Sequence, residues 1–599
     1  MINALWVPKP FNTYADPFFL LGLAQLVEDA LQCSQQHSSL QLLDEGTQYC
    51  LQFSQPISLD AICQLDYTNP FLPVRGQKTD WSQMPDQTTW FDVVKEGEKR
   101  KLYRDYRYQM GGKTEWSEEA PKPPDPRTQN GALLVSMRHD RNHNGLWLES
   151  WKLKEHYGFF VAALLHAFSQ ESSISLTAKM QLVADWFEQK TGQPLPELAN
   201  AVKVYLPTAV QGVSRVKADS NKTDPQKTEW LSLWLIANGL FAFSIAERVK
   251  IADSVYDWRV VALEPKDISL EKYRGVVNAL RQFNPPGGGH GIARFDAELV
   301  LKFCRQLLEN HQAKSQAKPA DDFDFWCKSV NDFVGTFRGT HFGSKGQVYG
   351  VKELFTLGLP GWIVPENYLD LLDYLAVLKE HLNVIISLSA EEGQGELLAA
   401  YRDFITGSSL RNFFRFQISY ADYVVKRLAD SQAKPPRLFS LTGLQTMTKK
   451  DADFTRITQD PSFLRIAKAI NQATVYAGKI QTKDGVKELD WQRNYGLAQL
   501  LSSQSGSKKD FISAIADFLG KYEQENLRLQ ERYLSEGKRL RRVQPTKEDL
   551  DRLIELIHEF DTVLVANLLI AYGYAKWSKA KDESPSSDTD ELETQEDPE

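Results

Sequence analysis

The sequence predicts an α+β protein, with a large irregular mixed N-terminal domain followed by a C-terminal α-helical bundle. Three observations point there. Toward the end of the chain, Phe511, Ile512, Ile515, Phe518, Leu519 and Tyr522 recur at helical spacing, and so do Leu550, Leu553, Ile554, Ile557, Phe560, Leu564 and Leu568. The first 350 residues instead mix strand-like and helix-like apolar runs. Charge also shifts along the chain: residues 447–580 hold 22 Lys and Arg against 18 Asp and Glu, whereas residues 581–599 hold nine acids and one lysine. The expected division is a mixed domain at 1–350, a helical connection at 351–446, a basic bundle at 447–580 and a disordered acidic tail at 581–599.

In chain order, residues 17–27 are apolar on nearly all sides and predict a buried helix, and 41–56 read as strand and turn. Residues 80–131 look loop-rich, with Trp81, Trp90 and Trp116 among charges and prolines at 121, 123, 124 and 126. Strands are expected at 131–137, 202–206 and 258–263, and helices at 153–166, 229–245, 297–310 and 322–337. A polar, basic loop spans 211–228, a polar linker spans 312–320, and helices dominate from Tyr368 onward. Thr546 and Asp549 have capping-box spacing.

Composition bounds the function classes. With 599 residues, 42% hydrophobic and 25% charged, the chain reads as an ordinary globular protein large enough for several domains. Five cysteines without a C-x-x-C pair predict reduced thiols in a cytoplasmic protein. No apolar run reaches membrane-spanning length and no secretory leader is visible, so no membrane partner is expected. Zinc spacings, phosphate loops and nucleophile elbows are absent as motifs, so the reading assigns no catalytic residue, metal or cofactor.

Four segments carry candidate chemistry. Asn284, Gly287, Gly288, Gly289, His290 and Arg294 belong to a glycine-rich stretch whose backbone can approach a ligand closely, or which forms a surface loop. Lys99, Arg100, Lys101, Arg104 and Arg107 alternate with tyrosines; read as a strand, they form either a nucleic-acid face or a charge-protected edge. Lys113, Arg138, Arg141, Arg215, Lys217, Lys222, Arg541 and Arg542 are further candidate phosphate contacts. His139, Asp140 and His143 hint at a metal-dependent HD or HNH-like nuclease, although further ligands are not visible. Residues 339–346 form a second glycine-rich stretch, expected to be a structural turn.

Phe11-Asn12-Thr13-Tyr14-Ala15-Asp16-Pro17-Phe18 with Gly22, Tyr495-Gly496-Leu497-Ala498-Gln499-Leu500 and residues 518–526 resemble the large subunit of Cascade, the type I CRISPR effector, in its type I-B (including I-MYXAN-like) branch. The layout of mixed domain and helical bundle extends the resemblance over most of the chain. It implies a non-catalytic subunit in antiviral defence that recognises the protospacer-adjacent motif in double-stranded DNA. Such a subunit promotes unwinding and R-loop formation and supports the displaced single strand. The implied partners are guide RNA, target DNA, Cascade backbone and small subunits, and a helicase-nuclease or transposition adaptor. On this resemblance the 287–291 loop, with Asn284, His290 and Arg294, is the expected motif reader. Met447 is a candidate internal start for a separate small subunit. A metal-dependent nuclease and a protein-only scaffold are the alternatives.

Overall fold

Two helices that are apolar on almost every face cross at the centre of the first half of the chain. Ala15–Cys33 and Trp230–Phe243 approach closely because each presents a glycine at the crossing. A Cβ on Gly22 would lie 2.0 Å from the Leu235 carbonyl oxygen, and one on Gly239 would lie 1.9 Å from that of Phe18. The Asn238 amide donates to the Gly22 carbonyl at 3.1 Å, which satisfies a polar group inside this packing.

The computed structural model describes the chain except residues 111–119, 210–226, 318–327, 346–347, 390–392, 431, 477–478, 482–486, 490, 536, 538–539, 541 and 578–599. The fold is α+β, and the chain forms two compact units. Among the described residues, the first comprises those of Met1–Phe295 and Val330–Gly358, and the second those of Asp296–Ser329 and Leu359–Asp588. Residues past Leu359 in the 351–446 segment therefore share a unit with the 447–580 bundle.

The first unit holds two four-stranded antiparallel sheets. One has the order Ile2–Pro8, Gln48–Ile57, Leu40–Asp44, Asp267–Ser269. The other runs Val348–Leu357, Val334–Lys345, Val255–Pro265, Ile245–Ala252, with the last strand at an edge. Between the sheets' strands lies a buried polar cluster: Arg338 and Tyr49 both bind Glu264, at 2.9 and 3.1 Å, and Lys9 binds Asp44 at 2.5 Å. Asp16 accepts from the Phe11 backbone N–H at 2.9 Å, holding the turn in which Asn12 takes a left-handed φ of 52°. Burial nevertheless raises the Asp16 carboxyl above its ordinary pKa.

Helices build the second unit, apart from one short hairpin of Lys479–Gln481 with Lys487–Leu489. His381 sits among Trp362, Tyr401, Phe404, Phe413 and Phe439, and burial pushes its pKa down to about 3. Thr562–Gly573 is buried on nearly all faces, packed by Arg411–Ala429, Pro461–Thr474 and Leu497–Gln504. Its end pairs with the chain at Ser440, where Leu441 N–H donates to Lys576 O at 3.0 Å. Among the described residues no helix is long and apolar enough to cross a membrane, and Cys33, Cys50, Cys63 and Cys304 are free thiols.

Several local expectations are corrected. Residues 99–108 are helical, within Val93–Gln109, because Asp92 caps the first turn by accepting from Val94 and Lys95 N–H at 3.1 Å. Residues 131–136 belong to the helix Thr128–Ser136, and 202–206 form a buried turn. Residues 339–345 are strand, not turn: Phe355 and Lys352 from the neighbouring strand lie over Gly339 and Gly343 and fill the missing side-chain space. The first of the two helices expected around the 312–320 linker runs on as Ile292–Ala317, and Val334 begins a strand where helix was expected. The capping box at Thr546 and Asp549 forms, but the stripe behind it is two helices: Phe560 is extended (ψ 173°) and Asp561 caps Thr562–Gly573.

Candidate nucleic-acid interface

The helix Val93–Gln109 carries six cations, Lys95, Lys99, Arg100, Lys101, Arg104 and Arg107, against Glu96, Glu98 and Asp105. Lysine, arginine and glutamate favour helix in the absence of β-branched residues, and no β-branched residue follows Val94 in this segment. Tyr103 is its only buried side chain. Lys99 pairs with Glu96 at 2.6 Å and Arg104 with the adjacent Asp105 at 3.5 Å, both exposed. Lys101 and Arg107 are exposed, and neither forms an ion pair with a described acid. The helix thus keeps part of its positive charge exposed, with six cations against three acids of its own.

Arg100 turns the other way and ties this helix to the edge strand Ile245–Ala252. Its guanidinium donates to Glu247 Oε2 at 2.6 Å, while Gln129 Nε2 and the Arg248 N–H bind Glu247 Oε1 at 2.6 and 3.0 Å. The same strand holds the glycine-rich loop. Lys250 N–H donates to Gly288 O at 2.9 Å, and a Cβ on Gly288 would lie 1.9 Å from the Arg248 carbonyl oxygen. Only glycine allows that approach. Gly291 adopts a φ of 94° at the start of the helix Ile292–Ala317, which lets the loop turn sharply there. Gly289 and His290 form the exposed apex, Asn284 and Gly287 are half-buried, and Arg294 is buried.

A small cavity under the loop is lined by Arg100, Asp125, Glu247, Arg281, Pro285 and Pro286. Burial pushes the Arg281 pKa down to about 9, and its guanidinium holds the Ser244 and Ala242 carbonyls at 3.2 and 2.7 Å. On the strand's outer side Arg248 is exposed and lies over the Tyr256 ring, 5.1 Å from its centroid. The arrangement joins an outward basic helix, an edge-strand arginine and a backbone loop with an exposed histidine. Exposed cations beside a backbone loop are groups that can contact an anion.

The other expected contacts separate. Arg138 and Arg141 are exposed at the turn into the helix Asp140–Lys152, with Arg138 at a φ of 60°. Arg542 is corrected: its side chain is 1% exposed, sandwiched 4.3 Å from Trp491 and 4.2 Å from Tyr522, and bound to Glu525 at 2.6 Å. It holds the bundle together and does not face an external phosphate. Lys113, Arg215, Lys217, Lys222 and Arg541 lie outside the described residues. Met447 is buried in the helix Leu441–Thr448, with its sulfur 3.2 Å from His381 Nε2.

The nuclease constellation does not assemble. His143 Nε2 donates to the Leu72 carbonyl at 3.0 Å, so Nδ1 accepts from the Tyr205 hydroxyl at 2.9 Å. Burial pushes both His139 and His143 down to about pKa 4, and Asp140 accepts from Thr79 at 3.1 Å. Among the described residues no group of three or more His, Cys, Asp or Glu side chains is placed to hold a metal ion.

Sequence reasoning found the basic segment and the glycine loop but missed Glu247 and Gln129, which join them. No local signal marks a lone Glu and Gln 118 residues apart as partners. No protein-family model matches the chain, and no curated protein is detectably similar to it in sequence.

Proposed function

We propose that this chain is a non-catalytic, nucleic-acid-binding large subunit of a type I-B CRISPR surveillance complex. In this reading it contacts duplex DNA beside the protospacer-adjacent motif, promotes unwinding and R-loop formation, and recruits a separate helicase-nuclease or transposition adaptor. The observation that carries the proposal is the Glu247 junction, which mounts the cation-bearing helix and the pinned glycine loop on one edge strand. Cations on the helix supply sequence-independent affinity, and the Gly289–His290 apex is the part narrow enough to enter a groove. Arg294, being buried, supports that loop from within.

The internal-start idea gains a physical condition. A product beginning at Met447 would lack Arg411–Ala429, so the Thr562–Gly573 helix would lose one of its packing partners. Such a small subunit would need another chain to cover that apolar face. The test is affinity purification of the tagged protein from its own operon, with co-purifying RNA sequenced and proteins identified. A uniform short guide RNA with backbone subunits is the expected result. Recovery of the protein alone, with no RNA, would overturn the assignment.

A further inference from the structure

Arg75 occupies a built setting that the interface above does not use. The short parallel pair Val74–Arg75 with Phe91–Asp92 closes the loop between them, and the Asn144 side chain brackets Val74 by accepting from its N–H at 2.7 Å and donating to its carbonyl at 3.0 Å. Loop residue Thr79 accepts from Gly76 N–H at 2.7 Å and donates to Asp140 at 3.1 Å. On this frame the Arg75 guanidinium lies 4.9 Å from the Trp90 ring centroid and 5.5 Å from that of Trp81, and the two indoles are 5.2 Å apart. Two rings therefore hold a half-buried cation in place.

Among the described residues, no acid pairs with this guanidinium. Asp92, opposite Arg75 in the strand pair, accepts from the Val94 and Lys95 N–H groups, and Asp80 accepts from Ser82 N–H at 3.0 Å with Arg141 nearby. Among the described residues the Arg75 side chain makes no ion pair and no hydrogen bond. A guanidinium held against two rings, with no described acid on it, keeps donors for a planar or tetrahedral anion. Trp90, 37% exposed, still offers apolar ring surface beside that charge.

We propose that Arg75, Trp81 and Trp90 form a binding site for single-stranded nucleic acid, with Arg75 taking a backbone phosphate and Trp90 stacking on an adjacent base. A base stacked within a duplex presents no free face to an indole, so the chemistry selects an unpaired strand. The proposal rests on the nucleic-acid reading above and names a surface distinct from the Glu247 junction.

The test uses the full chain and a fluorescently labelled twenty-nucleotide oligothymidine as probe. Arg75→Gln is expected to weaken binding about tenfold and to reduce the log–log salt slope by about 0.7, the value for one phosphate contact on a single strand. Trp90→Leu is expected to weaken binding about tenfold with the slope unchanged, since stacking releases no counterion. Because Arg75 also packs on two rings, Arg75→Lys serves as the second variant: it keeps the charge and the slope but loses affinity with the fork. Wild-type binding by both Arg75→Gln and Trp90→Leu would overturn the site. If a Lys101, Arg104 and Arg107 triple variant still lost binding in that case, the interface reading would stand alone. Failure of the unmodified chain to bind either this strand or duplex DNA would overturn both. Loss of a polyglutamate probe with oligothymidine binding intact would reassign the site to an acidic peptide.

Discussion

The helix Val93–Gln109 and the C-terminal bundle are both basic in sequence, yet they use their cations in opposite ways. In the bundle, Arg465 binds Asp549 at 2.8 Å, Arg552 reaches Asp460 and Glu555 at 2.8 and 2.7 Å, and Arg456 pairs with Glu559. Arg542 is buried against Glu525, and Lys449 pairs with Asp370 at 2.7 Å. In the helix, Lys101 and Arg107 are exposed and form no ion pair with a described acid, while Arg100 ties the helix to Glu247. Net charge of a segment therefore does not locate an interface. The partner of each cation does.

Among single substitutions, breaking the loop's anchorage should have the largest effect. Gly288→Val places a branched side chain against the Arg248 carbonyl, and backbone cannot yield as a side-chain tip does. A loss of about 3 kcal/mol in denaturant unfolding of the first unit is expected, with detachment of the loop. Unchanged stability would mean that the loop is not pinned to the edge strand.

Next comes the bundle's own ion pairing. Asp549 is fully buried, accepts from Arg465 and closes the capping box with the Thr546 N–H at 2.9 Å. Asp549→Ala should cost about 2 kcal/mol, from the lost cap and the lost charge-assisted bonds, while leaving nucleic-acid affinity unaltered. Those bonds hold the Asp549 carboxyl down to about pKa 2 despite burial. Its folded pKa is depressed, so this contribution is present above the unfolded value near 4 and is lost as pH falls toward 2.

Buried histidines act at milder pH. His143 and His381 titrate near 4 and 3 in the folded chain, below the unfolded value of about 6.5. The unfolded state then binds more protons as soon as pH drops below about 6.5. Each histidine should remove about 1.4 kcal/mol of stability per pH unit from there down toward its folded pKa. Thermal unfolding at pH 7 and pH 5 checks this; a constant midpoint would contradict the burial of both rings. The smallest effect is expected from Arg456→Gln with Arg552→Gln. These exposed pairs should change stability by about 1 kcal/mol or less.

The sequence made some of this legible and hid the rest for physical reasons. The helix at 17–27, strand and turn within 41–56, the helix at 229–245 and the Thr546 box were readable because periodicity and capping are local signals. The basic segment was misread as strand because alternating tyrosines and arginines imitate a period of two, whereas Asp92 sets the helix start. Gly339 and Gly343 looked like turn residues because the side chains that cover them, Phe355 and Lys352, belong to the next strand. Arg542 looked available because its acid, Glu525, and the two rings that sandwich it are not adjacent in sequence. Gly22 appeared only as part of a resemblance; its role is the close crossing with Gly239.

The most direct measurement compares salt dependence of duplex DNA binding for two variants of the full chain. One carries Lys101→Gln, Arg104→Gln and Arg107→Gln; the other carries Arg456→Gln and Arg552→Gln. If the helix displays its cations to phosphate, the first variant loses about one unit of log–log slope per contact removed, up to about three, and the second keeps the wild-type slope. A slope unchanged in the first variant and reduced in the second would contradict the account.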